Sequence, residues 1–194
     1  MAMTLFLILA PYGAFTALML VASATTSLVA AAAVCAATIG FDRYQGRSLK
    51  ILAAGSVILF VAIAAYLNLI DAGLSDKAVR VAVDIGVFAI ALGSMLARTP
   101  FTMQYALESV PAEIAAMPGF MRANYIITSA WTAAALLMML ANAAILYLPG
   151  LPIWLGLAVA FAARNSAVFF TKWYSAQRRA QSALPPPDAL PKAN

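Results

Sequence analysis

Two long stretches without a charged residue constrain the fold of this chain more than any other feature. They cover residues 1–41 and 123–163, each is 41 residues long, and both are almost wholly apolar. As one continuous α-helix, such a stretch would extend roughly 60 Å, twice the roughly 30 Å thickness of the hydrocarbon core of a bilayer. Each stretch is therefore predicted to form a helical hairpin that crosses a membrane twice.

The composition excludes an ordinary water-soluble domain. Hydrophobic residues make up 64% of the chain and charged residues only 10%, whereas soluble domains contain roughly 25% charged residues. The chain has no histidine, which excludes His-based zinc sites, haem ligation by His and Ser-His-Asp catalysis. No Lys or Arg precedes Arg43, so we expect the first helix to be retained rather than cleaved as a secretory signal.

Turns and charged loops divide the chain into six predicted spans. The first hairpin breaks at the small hydroxyl residues of 23–27, and the second breaks at 149–152, where two prolines and a glycine end a helix. Spans five and six flank this second turn. The first four spans are predicted near residues 4–22, 27–41, 51–70 and 81–97.

The predicted fold class is all-α, a bundle of six transmembrane helices that forms a single domain over residues 1–175. A basic, proline-rich cytoplasmic tail is predicted for residues 176–194. From Leu184 onwards this tail contains four prolines and no periodic pattern, which is typical of extended or disordered chain.

Positively charged residues predict the orientation, because Lys and Arg near span ends are retained on the cytoplasmic side. With six spans, nine of them lie on one side, in the 42–50 loop, the 98–122 segment and the tail, and only Lys77 and Arg80 lie on the other. We therefore expect a multi-pass protein of the inner (plasma) membrane with both termini in the cytoplasm. Its net charge of +5 then indicates membrane lipids, and not nucleic acid, as partners.

The longest predicted cytoplasmic segment contains a helix start at Pro100. A short amphipathic helix is predicted from there to about Ser109, between spans four and five. Its Phe101, Tyr105 and Glu108 form a candidate surface for a membrane-protein partner or a second copy of the chain. The alternative is that the segment rests in the lipid headgroup region.

Two ionisable residues lie within predicted spans, and such residues cost roughly 2.5–3.5 kcal/mol near a span centre, which makes them functional candidates. Asp84 lies about one turn deep in span four, and a local ion pair with Arg80 is the alternative explanation. Arg164 lies roughly 20 Å below the outer end of span six, where snorkelling or a helix partner is the alternative. A direct bridge between Asp84 and Arg164 is not expected, because their predicted depths differ by roughly 13 Å.

Asn68 and Asn142 fall at about the predicted depth of Asp84. Together with Arg164, these three residues form a candidate intramembrane polar site for a small solute or a cation. The alternative, which the residues favour, is that they form interhelical hydrogen bonds that only stabilise the bundle. The sequence gives the depth of each residue but not the direction in which its side chain points.

The spacing of Pro100, Pro111, Asn124, Trp131 and Asn142 resembles that of the intracellular septation protein A family of bacterial inner-membrane proteins. The stretch that carries this resemblance is about a quarter of the chain. The interval from Asn124 to Trp131 is longer than the one typical of the family. The resemblance implies a role in envelope organisation through partner proteins rather than catalysis.

The sequence contains no phosphate-binding Gly-rich loop, no metal-ligand cluster and no nucleophile next to a base, so neither an enzyme nor a cofactor or metal is expected. Two functions are predicted instead. The first is an assembly or envelope-organisation protein that acts through helix packing and the 98–122 segment. The alternative is a small transporter or channel with a polar site near Asp84 or Arg164.

The predicted orientation is tested by a reporter fused after Asn194. With six spans and the basic loops inside, a reporter that is active only in the cytoplasm is expected to be active, and one that is active only after export is expected to be silent. The reverse pattern would contradict the predicted orientation.

Overall fold

The computed structural model describes residues 2–183 of the chain and the side chains of residues 9–180. Within residues 2–183 the chain is all-α, without a strand, as predicted. The boundary predicted after residue 175 falls inside the last helix, and the tail from Leu184 lies outside the described residues. The helices are α1 (Ala2–Leu18), α2 (Ala24–Tyr44), α3 (Ile51–Leu69), α4 (Asp76–Leu96), α5 (Phe101–Leu107), α6 (Ala112–Ala115), α7 (Pro118–Tyr147) and α8 (Ile153–Ala183).

Five of these helices, α2, α3, α4, α7 and α8, are long and apolar enough to cross a membrane. Helix α1 has 17 residues, at the lower limit of the roughly 17–25 residues of a membrane-spanning helix. Large apolar side chains cover the outside of the bundle, among them Ile58, Leu137 and Phe161, each more than half exposed. Such faces suit hydrocarbon rather than water, which is the arrangement of a multi-pass membrane protein.

The six long helices pack in chain order and form an open ring. Helix α1 packs on α2, α2 on α3, α3 on α4, α4 on α7 and α7 on α8. The turns at 19–23, 70–75 and 148–152 lie at one end of the bundle, and the 45–50 loop, α5 and α6 lie at the other, the α5 side. Among the residues that the structure describes, α1 and α8 do not pack closely against each other.

Local sequence explains where the helices of the two hairpins begin. The Ser23 side chain accepts a hydrogen bond from the Thr26 N–H and so caps α2, at the break predicted for the first hairpin. In the second hairpin, Gly150 has a φ of 93°, a left-handed conformation that glycine adopts without strain. Pro152 follows, immediately before α8.

Helix α5 lies within the segment predicted to be helical, but it packs into the bundle. The backbone N–H of Phe101 donates to Ser94 Oγ at 3.1 Å, and Gln104 Oε1 accepts from the Ile51 N–H at 2.7 Å. Phe101 is buried against Leu52 and Ala91. The first turn of α3 has backbone N–H groups without a helical partner, and α5 supplies an acceptor for one of them.

Glu108, directly after α5, extends the contact between α5 and the start of α3. Its carboxylate accepts hydrogen bonds from Lys50 Nζ and from the backbone N–H of Ser48. Lys50 is only 2% exposed, and its ammonium group lies 5.6 Å from the centroid of the Tyr105 ring. Partial burial would raise the pKa of Glu108, but these hydrogen bonds hold that pKa below its ordinary value of 4.5.

The partner surface predicted for Phe101, Tyr105 and Glu108 is therefore not exposed as a unit. Phe101 is buried, Tyr105 is half-buried, and Glu108 is paired with Lys50. The physical reason is that polar side chains of α5 and of Glu108 satisfy polar groups at the start of α3. These side chains therefore form their contacts within the chain.

Removing the carboxylate of Glu108 is expected to destabilise the fold. In Glu108→Gln, buried Lys50 loses its anionic partner, so we expect the free energy of unfolding to fall by about 1 kcal/mol. The measurement is thermal unfolding in detergent at neutral pH. Glu113→Gln, which removes an exposed carboxylate from the same segment, is the matched control and is expected to leave the melting temperature unchanged.

The pH dependence of the same contact has a defined sign. Because the pKa of Glu108 is lower in the folded chain, the ionised carboxylate stabilises the fold at pH values above about 4.5 and loses this effect as the pH falls through its folded pKa. The difference in melting temperature between wild type and Glu108→Gln should therefore shrink in acid. An undiminished difference at low pH would contradict this account.

Candidate functional site

A cavity of about 90 Å³ lies inside the ring of helices, and we call it the central cavity. Helices α1, α4, α7 and α8 form most of its wall. The volume is sufficient for several water molecules. Most of the lining is apolar, but three charged side chains also line it, those of Arg80, Asp84 and Arg164, together with the amide of Asn142.

Two of the predicted site residues meet directly in this cavity. Asn142 Nδ2 on α7 donates a hydrogen bond to Asp84 Oδ2 on α4 at 2.6 Å. Gly156 on α8 lies beside this pair, and a Cβ atom at that position would approach Asn142 Oδ1 to 2.8 Å. The absence of a side chain at Gly156 therefore lets α8 pack directly against the amide, so three helices meet at one polar contact.

Asn68 does not belong to this site, although its predicted depth matches that of Asp84. Its side chain is exposed, and its Nδ2 donates to the backbone carbonyl of Ala64 in the same helix at 2.6 Å. Asn68 lies next to the last residue of α3 and is not among the residues that line the central cavity. Equal depth in the membrane was therefore not sufficient to bring this residue into the cavity.

Arg80 does not form the local ion pair with Asp84 that its spacing suggested. Its Nη2 instead donates to the backbone carbonyl of Met19 at 3.0 Å, and its Nε has no hydrogen-bond partner among the described residues. Helical side chains point towards the N-terminus of their helix, which directs Arg80 towards the carbonyl groups just beyond the end of α1. The result is that Arg80 is 8% exposed and forms no ion pair with a carboxylate among the described residues.

Arg164 is half-buried and lines the central cavity from α8. Within the part of the chain that the structure describes, its guanidinium group forms no hydrogen bond, and no ion pair joins it to Asp84, although both side chains line the same cavity. The neighbouring Asn165 is exposed and donates to the carbonyl of Phe161, so it does not solvate Arg164. Arg164 thus faces the interior of the bundle with its donors unpaired.

A second cavity of about 80 Å³ adjoins the first on the α5 side, and we call it the α5-side cavity. Its lining is more polar and includes Lys50, Glu108 and an ion pair between Arg47 Nη1 and Asp42 Oδ1 at 3.2 Å. This cavity lies next to charged loop residues, whereas the central cavity lies within the apolar helices.

Tyr12 and Leu52 line both cavities and so separate them. Tyr12 Oη and Ser56 Oγ are hydrogen-bonded at 2.5 Å, and the Tyr12 ring packs against Phe60 with centroids 6.0 Å apart. Sequence reasoning did not identify Tyr12 or Ser56. The feature of the sequence that could have identified Tyr12 was its polar phenol group, directly after Pro11 in an otherwise apolar helix.

No protein-family model matches this chain, and no curated protein or solved structure is similar to it. The resemblance to the intracellular septation protein A family stays a prediction. Two of the residues that carry it have clear structural roles, since Asn142 bonds Asp84, and Trp131 Nε1 donates to Thr171 Oγ1 at 3.0 Å between α7 and α8.

Replacing Asn142 is expected to destabilise the bundle more than replacing Asn68. Asn142→Leu leaves the Asp84 carboxylate without its donor, which should cost about 1–3 kcal/mol of unfolding free energy. Asn68→Leu removes an exposed amide that bonds only within its own helix, so it is the matched control. Melting temperatures in one detergent make the comparison, and equal loss in both variants would contradict the assignment of Asn142 to the site.

Proposed function

We propose that this chain is a six-span membrane protein that binds a small solute in the central cavity and transports it. One observation carries the proposal, namely that Arg80, Asp84 and Arg164 all line a cavity inside the bundle. Ionisable side chains within a membrane are costly and typically mark solute or ion pathways. Polar residues that only stabilise a bundle would be paired with one another, whereas the Nε of buried Arg80 has no hydrogen-bond partner among the described residues.

The position of the α5-side cavity supports transport rather than binding alone. A solute that leaves the central cavity towards the α5 side would pass Tyr12 and Leu52 and enter a polar compartment lined by Lys50 and Glu108. Separation of two compartments by two side chains, one of them held by a hydrogen bond to Ser56, suits a barrier that opens and closes.

The proposed topology has α1 as the sixth crossing and the α5 side in the cytoplasm of the cell, at its inner (plasma) membrane. It is supported by the distribution of Lys and Arg, most of which lie on the α5 side. The segment between α4 and α7 then lies in the headgroup region. Its exposed apolar side chains, which suit such a position, are Leu107, Ile114 and Met117.

An assembly or envelope-organisation role through the 98–122 segment has weaker support. The residues expected to form its partner surface are buried or paired within the chain, as described for Phe101 and Glu108. We therefore propose a non-enzymatic transporter that is surrounded by membrane lipids.

The test is flux in proteoliposomes with radiolabelled propionate as the probe anion and radiolabelled sodium as the probe cation. We expect one of the two probes to be transported above the level of empty liposomes. Ala160→Phe, which fills the central cavity from α8, should reduce that flux to the level of empty liposomes. Ala158→Phe, at an exposed position of the same helix, is the matched control and should transport normally.

Two results would contradict the proposal. Equal flux in Ala160→Phe and Ala158→Phe would show that the central cavity is not the path. Background flux of both probes in the wild-type protein would contradict transport and would favour the assembly role.

A further inference from the structure

We infer that the central cavity binds a small monocarboxylate whose carboxylate is held by Arg164. This inference rests on the proposed function and names the substrate class. It is argued from the charges, the donors and the apolar wall of the cavity.

The charges on the cavity wall favour a single negative charge in the ligand. Arg80 and Arg164 each carry one positive charge, and Asp84 carries one negative charge. Asp84 accepts its hydrogen bond from the neutral amide of Asn142. Its carboxylate therefore does not neutralise Arg80 or Arg164 through a direct ion pair among the described residues. One bound monoanion leaves the cavity without net charge, which lowers the cost of burying ions in the membrane.

The donors on the wall favour a carboxylate. Arg164 reaches the cavity with a guanidinium group that forms no hydrogen bond to a described residue, and Arg80 adds a buried positive charge whose Nε lacks a partner. A guanidinium group is planar and presents parallel N–H donors that match the two oxygens of a carboxylate. A cation, by contrast, would find only one carboxylate, already hydrogen-bonded, between two positive charges.

The remaining wall and the volume limit the ligand to a short apolar chain. The cavity is lined by apolar side chains such as Phe15, Val87 and Met138. An apolar cavity of roughly 150 Å³ accepts benzene, with six non-hydrogen atoms. A cavity of about 90 Å³ is smaller than this, so it suits acetate or propionate better than a longer carboxylate.

The experiment is calorimetric titration of the full chain in lipid nanodiscs with sodium propionate. We expect saturable binding that weakens about tenfold in Arg164→Gln, the loss of a charged hydrogen bond worth about 1.4 kcal/mol. Arg164→Lys, which keeps the charge but not the planar donor pair, should be intermediate. Lys172→Gln removes an exposed positive charge from the same helix, and this matched control should bind as wild type does.

The variant Asp84→Asn distinguishes a site that binds an anion from one that binds a cation, and from a loss of binding with a purely structural cause. It removes the negative charge but keeps a polar side chain next to Asn142, so propionate should bind as tightly as in wild type or more tightly. Weakening equal to that of Arg164→Gln would overturn the inference. Saturable binding of sodium chloride with the same affinity would also overturn it, because the site would then take any small monoanion.

The flux assay distinguishes failure of this inference from failure of the proposed function. Sodium flux that Ala160→Phe blocks, combined with no propionate binding, would overturn the carboxylate and leave transport through the cavity intact. No flux of either probe and no propionate binding would overturn both.

Discussion

The hydrogen bond between Asn142 and Asp84 joins α4 to α7. Within residues 2–183, these two helices flank the only long segment that separates two consecutive long helices. Hydrocarbon offers no water to a carboxylate or an amide, so each must find its partner inside the chain. The partner of Asp84 comes from α7, and the missing side chain of Gly156 lets α8 approach the same point. The arrangement of the last three long helices thus depends on how one carboxylate is satisfied.

The same constraint explains why the polar contacts lie inside the ring and at its α5 side. Tyr12 bonds Ser56 between the two cavities, and Gln104 and Glu108 bond polar groups at the start of α3. These contacts leave few polar side chains on the outer faces of the helices, which are covered by large apolar residues. The guanidinium groups of the central cavity are the exception, because within residues 2–183 no carboxylate lies at ion-pair distance from them, and for that reason they support the functional proposal.

Much of the fold followed from the sequence, because apolar length and helix-breaking residues determine where membrane helices begin and end. The turn before Ala24, the turn at 149–152 and the run from Ile51 were all predicted close to their observed positions. Depth along a helix axis also follows from counting residues, and it brought Asp84 and Asn142 to the same level. The sequence therefore predicted the positions of the helices and the common depth of Asp84 and Asn142, but not the contact between them.

The direction of each side chain around its helix was not predictable in the same way. In a soluble helix an apolar stripe marks the buried face, but lipid and protein interior are both apolar, so no such stripe orients a membrane helix. Asn68 and Asn142 were indistinguishable by depth, yet only Asn142 faces the cavity. Arg80 was assigned to Asp84 by spacing alone, whereas the carbonyl of Met19, distant in sequence, binds it.

The central claim is that Asp84 and Asn142 touch across α4 and α7, and exchanging the two residues tests it most directly. Asp84→Asn alone and Asn142→Asp alone each break the carboxylate–amide pair, whereas the double variant restores it with the roles reversed. A double-mutant cycle of unfolding free energies in detergent should therefore give a favourable coupling of about 0.5–3 kcal/mol, with the exchanged protein more stable than either single variant. Additive effects of the two substitutions would contradict the contact, and with it the cavity that it helps to form.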